Sequence, residues 1–275
     1  MIICKTREEL TNWRDKQLDV VLVPTMGALH DGHLSLIREA KKHNGRVLVS
    51  IFVNPRQFAP NEDFDQYPRT LEGDLKKCEE EGADCVWVPK EKDIYPEGVE
   101  NAIGITVPKR LSKVLCGVSR PHFFDGVCTV VYRLLILSNA TTAIFGEKDF
   151  QQLTILKRMV KDLMIPVTIS GCPIVRETDG LAMSSRNRYL SSKERLDAAT
   201  IYKALVTAKK EISEGINDIS SIRSRLVSNY PSLKLDYLEC VDTETLDLNP
   251  ICKNGNRLCV AVWCGQTRLI DNIMI

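Results

Sequence analysis

Val20-Val21-Leu22-Val23-Pro24-Thr25-Met26-Gly27-Ala28-Leu29-His30-Asp31-Gly32-His33 turns from an apolar run into a polar, glycine-bearing segment within a few residues. Val20–Val23 has the continuous apolar, β-branched character of a strand buried on both faces, and Pro24 is expected to end it. From about Asp31 to His43, Leu34, Ile37 and Ala40/Lys41 recur at helical spacing. Val47–Val53 is a second β-branched run, bounded by Asn54-Pro55. Strand, helix and strand form one unit of an α/β sheet.

Outward from that unit the alternation continues. A helix is predicted from Thr70, as its cap, to Gly82, which supplies a left-handed end. Cys85–Val88 reads as a strand. Val127–Leu137, apolar almost all round, reads as a buried helix. Ala143–Phe145 is a strand, Lys148–Leu163 a helix and Val167–Gly171 the next strand. The fold class is therefore α/β: a Rossmann-like, mostly parallel sheet with helices on both faces. The pattern changes near residue 176. Ser191-x-x-Glu194 reads as a capping box opening a long helix to Gly215. A helix from about Asp218 to Asn229 follows, then strands at Lys234–Val241, Arg257–Cys264 and Arg268–Met274. These make a small C-terminal α+β domain, with the boundary between about Pro173 and Ser191. The expected domains are 1–175 and 176–275.

The 275 residues carry a net charge of +1, with 44% hydrophobic and 27% charged side chains. That composition excludes a disordered or collagenous chain. It also argues against a protein that coats nucleic acid, which needs a basic excess. Ten cysteines are irregularly spaced, without a C-x-x-C pair. They read as reduced structural thiols of a cytoplasmic protein. The opening MIICKTREELTNW lacks a signal-peptide core, and no apolar run is long enough to span a membrane.

The segment after the first strand is expected to carry the chemistry. There is no Walker-A loop, no G-x-G-x-x-G, no G-x-S-x-G elbow and no H-E-x-x-H. Gly27 permits a tight turn and close approach of a ligand. His30 and His33 lie one helical turn apart at a helix N-terminus, where backbone N–H groups favour anions. Two imidazoles there can donate to phosphate oxygens without a full charge. Half of a zinc site, or ordinary helix-start residues, are the alternative readings. His43, at a helix end, is assigned nothing.

The stretch resembles the H-x-G-H phosphate site of the nucleotidyltransferase superfamily. More narrowly, six ordered blocks resemble the pantothenate synthetase (pantoate–β-alanine ligase) family. They are Pro24–His33, Ser50–Phe58, Tyr67–Thr70, Phe145–Leu153, Asp179–Leu190 and Arg268–Asn272. The resemblance implies ATP-dependent joining of pantoate to β-alanine through a pantoyl adenylate, with release of pyrophosphate and then AMP. It implies ATP as co-substrate, Mg²⁺ and a homodimer; the neutral charge and the lack of a long apolar run argue against nucleic acid or membrane as partner. It assigns catalysis to His30, His33, Lys148 and Arg186. ATP contacts would come from Met26, Gly27, His30, His33, Gly146, Lys148, Asp149, Val175, Met183, Ser184, Ser185 and Arg186. Gln57 and Gln152 would hold pantoate, with Asn54 a further donor at the strand end. Asp74 would help to bind Mg²⁺.

These residue types also make chemical sense without the resemblance. Lys148 follows a strand and starts a helix, so neighbouring N–H groups face the same ligand. For the pantoate that the resemblance implies, with two hydroxyls and a carboxylate, a glutamine can both donate and accept. A solvated lysine, a capped loop at Met183–Arg186 and a solvated Asp74 are the bland alternatives. One segment departs from the family's R-P-G-H-F-x-G: here it is Arg120-Pro121-His122-Phe123-Phe124-Asp125-Gly126, so His122 takes no role. Competing functions are another nucleotidyltransferase acting on a different acceptor, and a non-catalytic nucleotide- or RNA-binding module.

Overall fold

In the computed structural model, which describes residues 1–59 and 62–275, six strands form a parallel sheet. They are β1 (Ile2–Cys4), β2 (Val20–Thr25), β3 (Arg46–Ile51), β4 (Cys85–Trp87), β5 (Thr142–Gly146) and β6 (Thr168–Cys172). Their order is β1-β4-β3-β2-β5-β6. Side chains alternate between two cores. Val20, Leu22 and Leu48 face the cluster that holds most of the helical packing, while Val21, Val23, Val47 and Val49 face a second cluster. Each fully buried valine or leucine contributes roughly 1.5–3 kcal/mol, so the central strands anchor the molecule.

The helices are α1 (Arg7–Arg14), α2 (Asp31–Ala40), α3 (Leu71–Glu80), α4 (Glu91–Ile94), α5 (Lys109–Ser112), α6 (Cys116–Ser119), α7 (Phe123–Ser138) and α8 (Phe150–Asp162). Leu34, Ile37 and Ala40 of α2 and Cys78 of α3 cover one face of the sheet. Leu10 and Trp13 of α1, most of α7, and α8 cover the other. The chain leaves β2 toward β3 on one side and reaches β5 on the other. The order therefore switches between β2 and β5, where open α/β sheets leave a crevice at the carboxyl ends of the strands.

Pro24 does not end its strand. Pro24 and Thr25 continue beside Ser50 and Ile51 of β3, whereas pairing with β5 stops at Leu22 and Ala143. The proline's missing N–H falls where the crevice has already opened, so no ladder bond is lost.

The C-terminal part contains α9 (Ser192–Ala198), α10 (Thr200–Ser213), α11 (Ile219–Asn229) and an antiparallel sheet of β7 (Lys234–Val241), β8 (Arg257–Cys264) and β9 (Thr267–Met274). The Ser191/Glu194 capping box is present. The expected single helix to Gly215 is broken at Ala199, where the Thr200 hydroxyl donates to the Asp197 carbonyl at 2.6 Å. One face of this sheet has its own core with α10 and α11. On its other face, Val241, Leu246 and Cys259 join the core of the larger sheet.

Candidate functional site

The loop between β2 and α2 is shaped by residues behind it. Gly27 lies at φ +82°, and a Cβ there would come 3.1 Å from Asp74 Oδ2 and 3.2 Å from Ile51 Cγ2. Ala28 also lies in the left-handed region, at φ +50°. What holds it there is Asp74 of α3. Its Oδ2 accepts from the Ala28 N–H at 2.9 Å and its Oδ1 from the Leu29 N–H at 2.8 Å. The Thr70 hydroxyl donates to the same carboxylate at 3.2 Å, and Lys77 Nζ donates to the Leu29 carbonyl at 2.5 Å.

That arrangement corrects the expectation for Asp74. It is 1% exposed and both oxygens are taken by backbone donors. It is neither a solvated helix residue nor an open Mg²⁺ ligand, but the buttress of the histidine loop. Thr70 likewise precedes α3 without capping it, because its hydroxyl donates to Asp74 instead.

His30 and His33 open α2 with their rings 4.1 Å apart. Gly32 permits this: a Cβ there would lie 2.9 Å from Cε1 and Nδ1 of His30. The His30 N–H donates to His33 Nδ1 at 3.4 Å. Burial, then the positive charge of Lys148, lowers the His30 pKa to about 4. Burial, then His30 and Lys148, lowers His33 to about 3. Both rings are neutral near pH 7. Because His33 Nδ1 accepts, its proton sits on Nε2, which makes Nε2–H a donor. Among the described residues no three His, Cys, Asp or Glu side chains converge as a metal cage, so the pair has no partners for a zinc site.

A cleft of about 900 Å³ opens beside this pair. Every expected site residue lines it except Gly27, within the loop, and Asp74, behind it. At its floor, Asn54 is 1% exposed and fully engaged. Its Oδ1 accepts from Tyr95 OH at 2.7 Å and from the Arg56 N–H at 3.3 Å. Its Nδ2 donates to the Gly126 carbonyl and to Gln57 Oε1, both at 3.2 Å. Asn54 therefore orients Gln57 and has no donor left for a ligand, contrary to expectation. Gln151 is spent similarly, bonding Cys116, Leu111 and Val114. Its neighbour Gln152 faces the cleft without a hydrogen bond among the described residues.

Lys148 and Asp149 lie in a single 3-10 turn, Glu147–Asp149, rather than at the start of α8. Lys148 is partly buried, and its Nζ stands 3.7 Å from Asp149 Oδ2. On the opposite wall, the Met183 N–H donates to the Val175 carbonyl at 3.0 Å, and Ser184 caps the turn of residues 185–189. Ser185 Oγ lies 3.3 Å from Tyr67 OH. Arg186 grips Asp63 with Nε at 3.1 Å and Nη2 at 2.9 Å.

Several groups were not found from sequence. Arg120 pairs with Glu62 through two bonds of 2.6 Å and lies 3.7 Å over the Phe123 ring. His122, standing where the family pattern has glycine, lies at φ +74° and is exposed, while Phe123 lines the cleft. A left-handed residue without glycine costs about 1–2 kcal/mol, and no sequence signal other than the departure from the family pattern marks it. Arg268 is paired with Asp236 at 2.7 Å and sits 3.5 Å from Cys116 Sγ.

The family model for pantoate-beta-alanine ligase matches residues 2–274. A pantothenate synthetase of Ruminiclostridium cellulolyticum is 46% identical, with 98% of this chain and 96% of the relative covered. The crystal structure of pantothenate synthetase from Thermus thermophilus superimposes with a TM-score of 0.92 at 41% identity, covering 100% of this chain and 99% of that one. A Francisella tularensis pantoate-beta-alanine ligase, complexed with beta-gamma ATP and beta-alanine, gives a TM-score of 0.82 at 37% identity, covering 100% and 97%. No helix among the described residues is long and apolar enough to cross a membrane.

Proposed function

The chain belongs to the pantoate–β-alanine ligase family, and on that premise we propose that it condenses pantoate with β-alanine to pantothenate, using ATP through a pantoyl adenylate. A pantoate carboxylate oxygen attacks the α-phosphorus, and the bond to pyrophosphate breaks. The amine of β-alanine then attacks the acyl carbon, loses a proton, and AMP departs.

The observation that carries this reading is the neutral His30–His33 pair at the start of α2, sharing one cleft with Lys148. Joining a carboxylate to a triphosphate sets two anions against each other. Fixed donors that cost no reorganisation lower that barrier. His33 Nε2–H and the free N–H groups of the first α2 turn are donors for the phosphates. Lys148 adds a point charge and Arg186 a planar fork on the far wall. Ser184 and Ser185 supply hydroxyls beside Arg186, and Met26, Gly146, Asp149, Val175 and Met183 surround the nucleoside. Gln57, aimed by Asn54, and Gln152 take pantoate's hydroxyls and carboxylate.

Mg²⁺ fits this donor set as an ion carried in on ATP, because Mg²⁺ keeps water and phosphate ligands and needs few carboxylates. It would neutralise charge on the departing pyrophosphate. The enzyme would act as a cytoplasmic homodimer, with residues 1–175 binding nucleotide and pantoate and residues 176–275 forming the smaller unit. Incubation with ATP, Mg²⁺, pantoate and β-alanine is expected to yield AMP and pantothenate in equal amounts. Absence of AMP with all substrates present contradicts the reading. AMP transfer to a different acceptor without pantoate would favour another nucleotidyltransferase.

A further inference from the structure

Asn272 of β9 is 3% exposed, yet its amide faces the loop that carries Lys148. Its Nδ2 donates to the carbonyls of Glu147 at 2.9 Å and Lys148 at 3.0 Å. Its Oδ1 accepts from Arg257 Nε at 2.7 Å, and Arg257 Nη2 donates to Glu147 Oε2 at 2.6 Å. Arg257 is itself 6% exposed and lies 4.6 Å over the Phe150 ring. The backbone from which the Lys148 side chain springs is thus gripped from the C-terminal sheet.

The preceding residue grips the opposite wall. Asp271, also 3% exposed, accepts from Arg176 Nη1 at 2.6 Å and Nη2 at 3.0 Å. Arg176 Nη1 also donates to the Gly180 carbonyl at 3.1 Å. Arg176 follows Val175, whose carbonyl holds Met183, and Ser184–Arg186 emerges from there.

We propose that Asp271 and Asn272 are positioning residues that set the separation between Lys148 and the Ser184–Arg186 loop. The proposal rests on the reading that both segments handle the ATP phosphates. The physical argument is one of cost. Burying an aspartate, an arginine and an asparagine, with a second arginine half-buried beside them, is often no more stabilising than packing apolar side chains of the same volume. What such groups add is fixed geometry, since each hydrogen bond specifies a direction as well as a contact. Here the directions converge on two backbone segments whose phosphate donors must be in register before the α-phosphate is attacked. A displacement of about 1 Å there costs about a hundredfold in rate.

The test compares the two half-reactions in Asn272→Ala. Pantoate-dependent exchange of labelled pyrophosphate into ATP is expected to fall about tenfold to a hundredfold. Aminolysis of supplied pantoyl adenylate by β-alanine is expected to stay within about twofold, because pyrophosphate, whose departure those donors assist, has already left. Asn272→Ser, which keeps one donor, should fall between. A folded Asn272→Ala protein with wild-type exchange, or with equal losses in both half-reactions, overturns the proposal. If Asn272→Ala does not fold, Asn272→Ser decides by the same comparison; if neither folds, Asn272 is a stability element and the proposal fails. Absence of exchange in the wild-type protein contradicts the ligase reading instead. Calorimetric binding of a non-hydrolysable ATP analogue then decides, expected about tenfold weaker in Asn272→Ala. Unchanged binding overturns the proposal.

Discussion

Arg186 holds Asp63 in a two-pronged ion pair, Nε to Oδ2 at 3.1 Å and Nη2 to Oδ1 at 2.9 Å. The guanidinium fork that suits a phosphate is thus occupied by a carboxylate of the same shape. On the proposed reading, Arg186 exchanges one anion for the other when ATP binds. Partly exposed pairs of this kind are worth about 0.2–1 kcal/mol. Asp63→Asn should therefore lower the KM for ATP by up to about fivefold while kcat stays nearly constant. Steady-state kinetics with ATP varied will check this. A raised KM would mean that Asp63 aims Arg186 rather than competing for it.

His33→Ala removes a preorganised donor. Adenylate formation should fall about 10²–10³-fold. The ring is partly buried and holds one long hydrogen bond, so the thermal midpoint should move little. Pyrophosphate exchange and a melting curve on one preparation separate the two effects. Near wild-type exchange removes His33 from the mechanism.

Asp74→Asn turns one acceptor into a donor that faces a backbone N–H. Leaving such a group unpaired costs about 1–3 kcal/mol, visible as a lower urea midpoint. The Mg²⁺ concentration for half-maximal rate should not change. Unaltered stability with a large shift in Mg²⁺ requirement would restore Asp74 as a metal ligand.

The two histidines also fix how stability depends on pH. Their pKa values are lowered on folding, from 6.5 to about 4 for His30 and about 3 for His33. Below pH 6.5 the unfolded chain binds protons that the folded one refuses. Their contribution is thus complete above pH 6.5 and is lost as pH falls toward 4 and 3. Urea midpoints of the wild type should drop more between pH 7 and pH 4.5 than those of a His30→Gln/His33→Gln variant. Equal drops would show that the histidines do not titrate as described.

Much of the fold was legible because its signals are local. β-branched runs mark β2 and β3, and Gly82 and Gly215 adopt the left-handed φ of +76° and +98° expected just past their helices. What escaped is non-local or short. β1 has three residues, largely exposed, and is defined by pairing with β4 more than eighty positions away. The break at Ala199 falls where the Thr200 hydroxyl donates to the Asp197 carbonyl. The site divides in the same way. His30, His33 and Lys148 announce themselves by position, at the carboxyl ends of strands. The jobs of Asn54 and Asp74 do not, because an amide or carboxylate facing a ligand reads the same as one facing Tyr95 or the Ala28 N–H. Asp63, Glu62 and Asn272 find their partners only after folding.

The central claim is that the pantoate carboxylate attacks the α-phosphate of ATP in the cleft of His33 and Lys148. Pantoate labelled with ¹⁸O in its carboxylate tests this directly, with the products read by mass spectrometry after reaction with ATP and β-alanine. Attack at the α-phosphate carries one label into AMP and leaves inorganic phosphate and pyrophosphate unlabelled. Unlabelled AMP, or label in inorganic phosphate or pyrophosphate, would contradict the account.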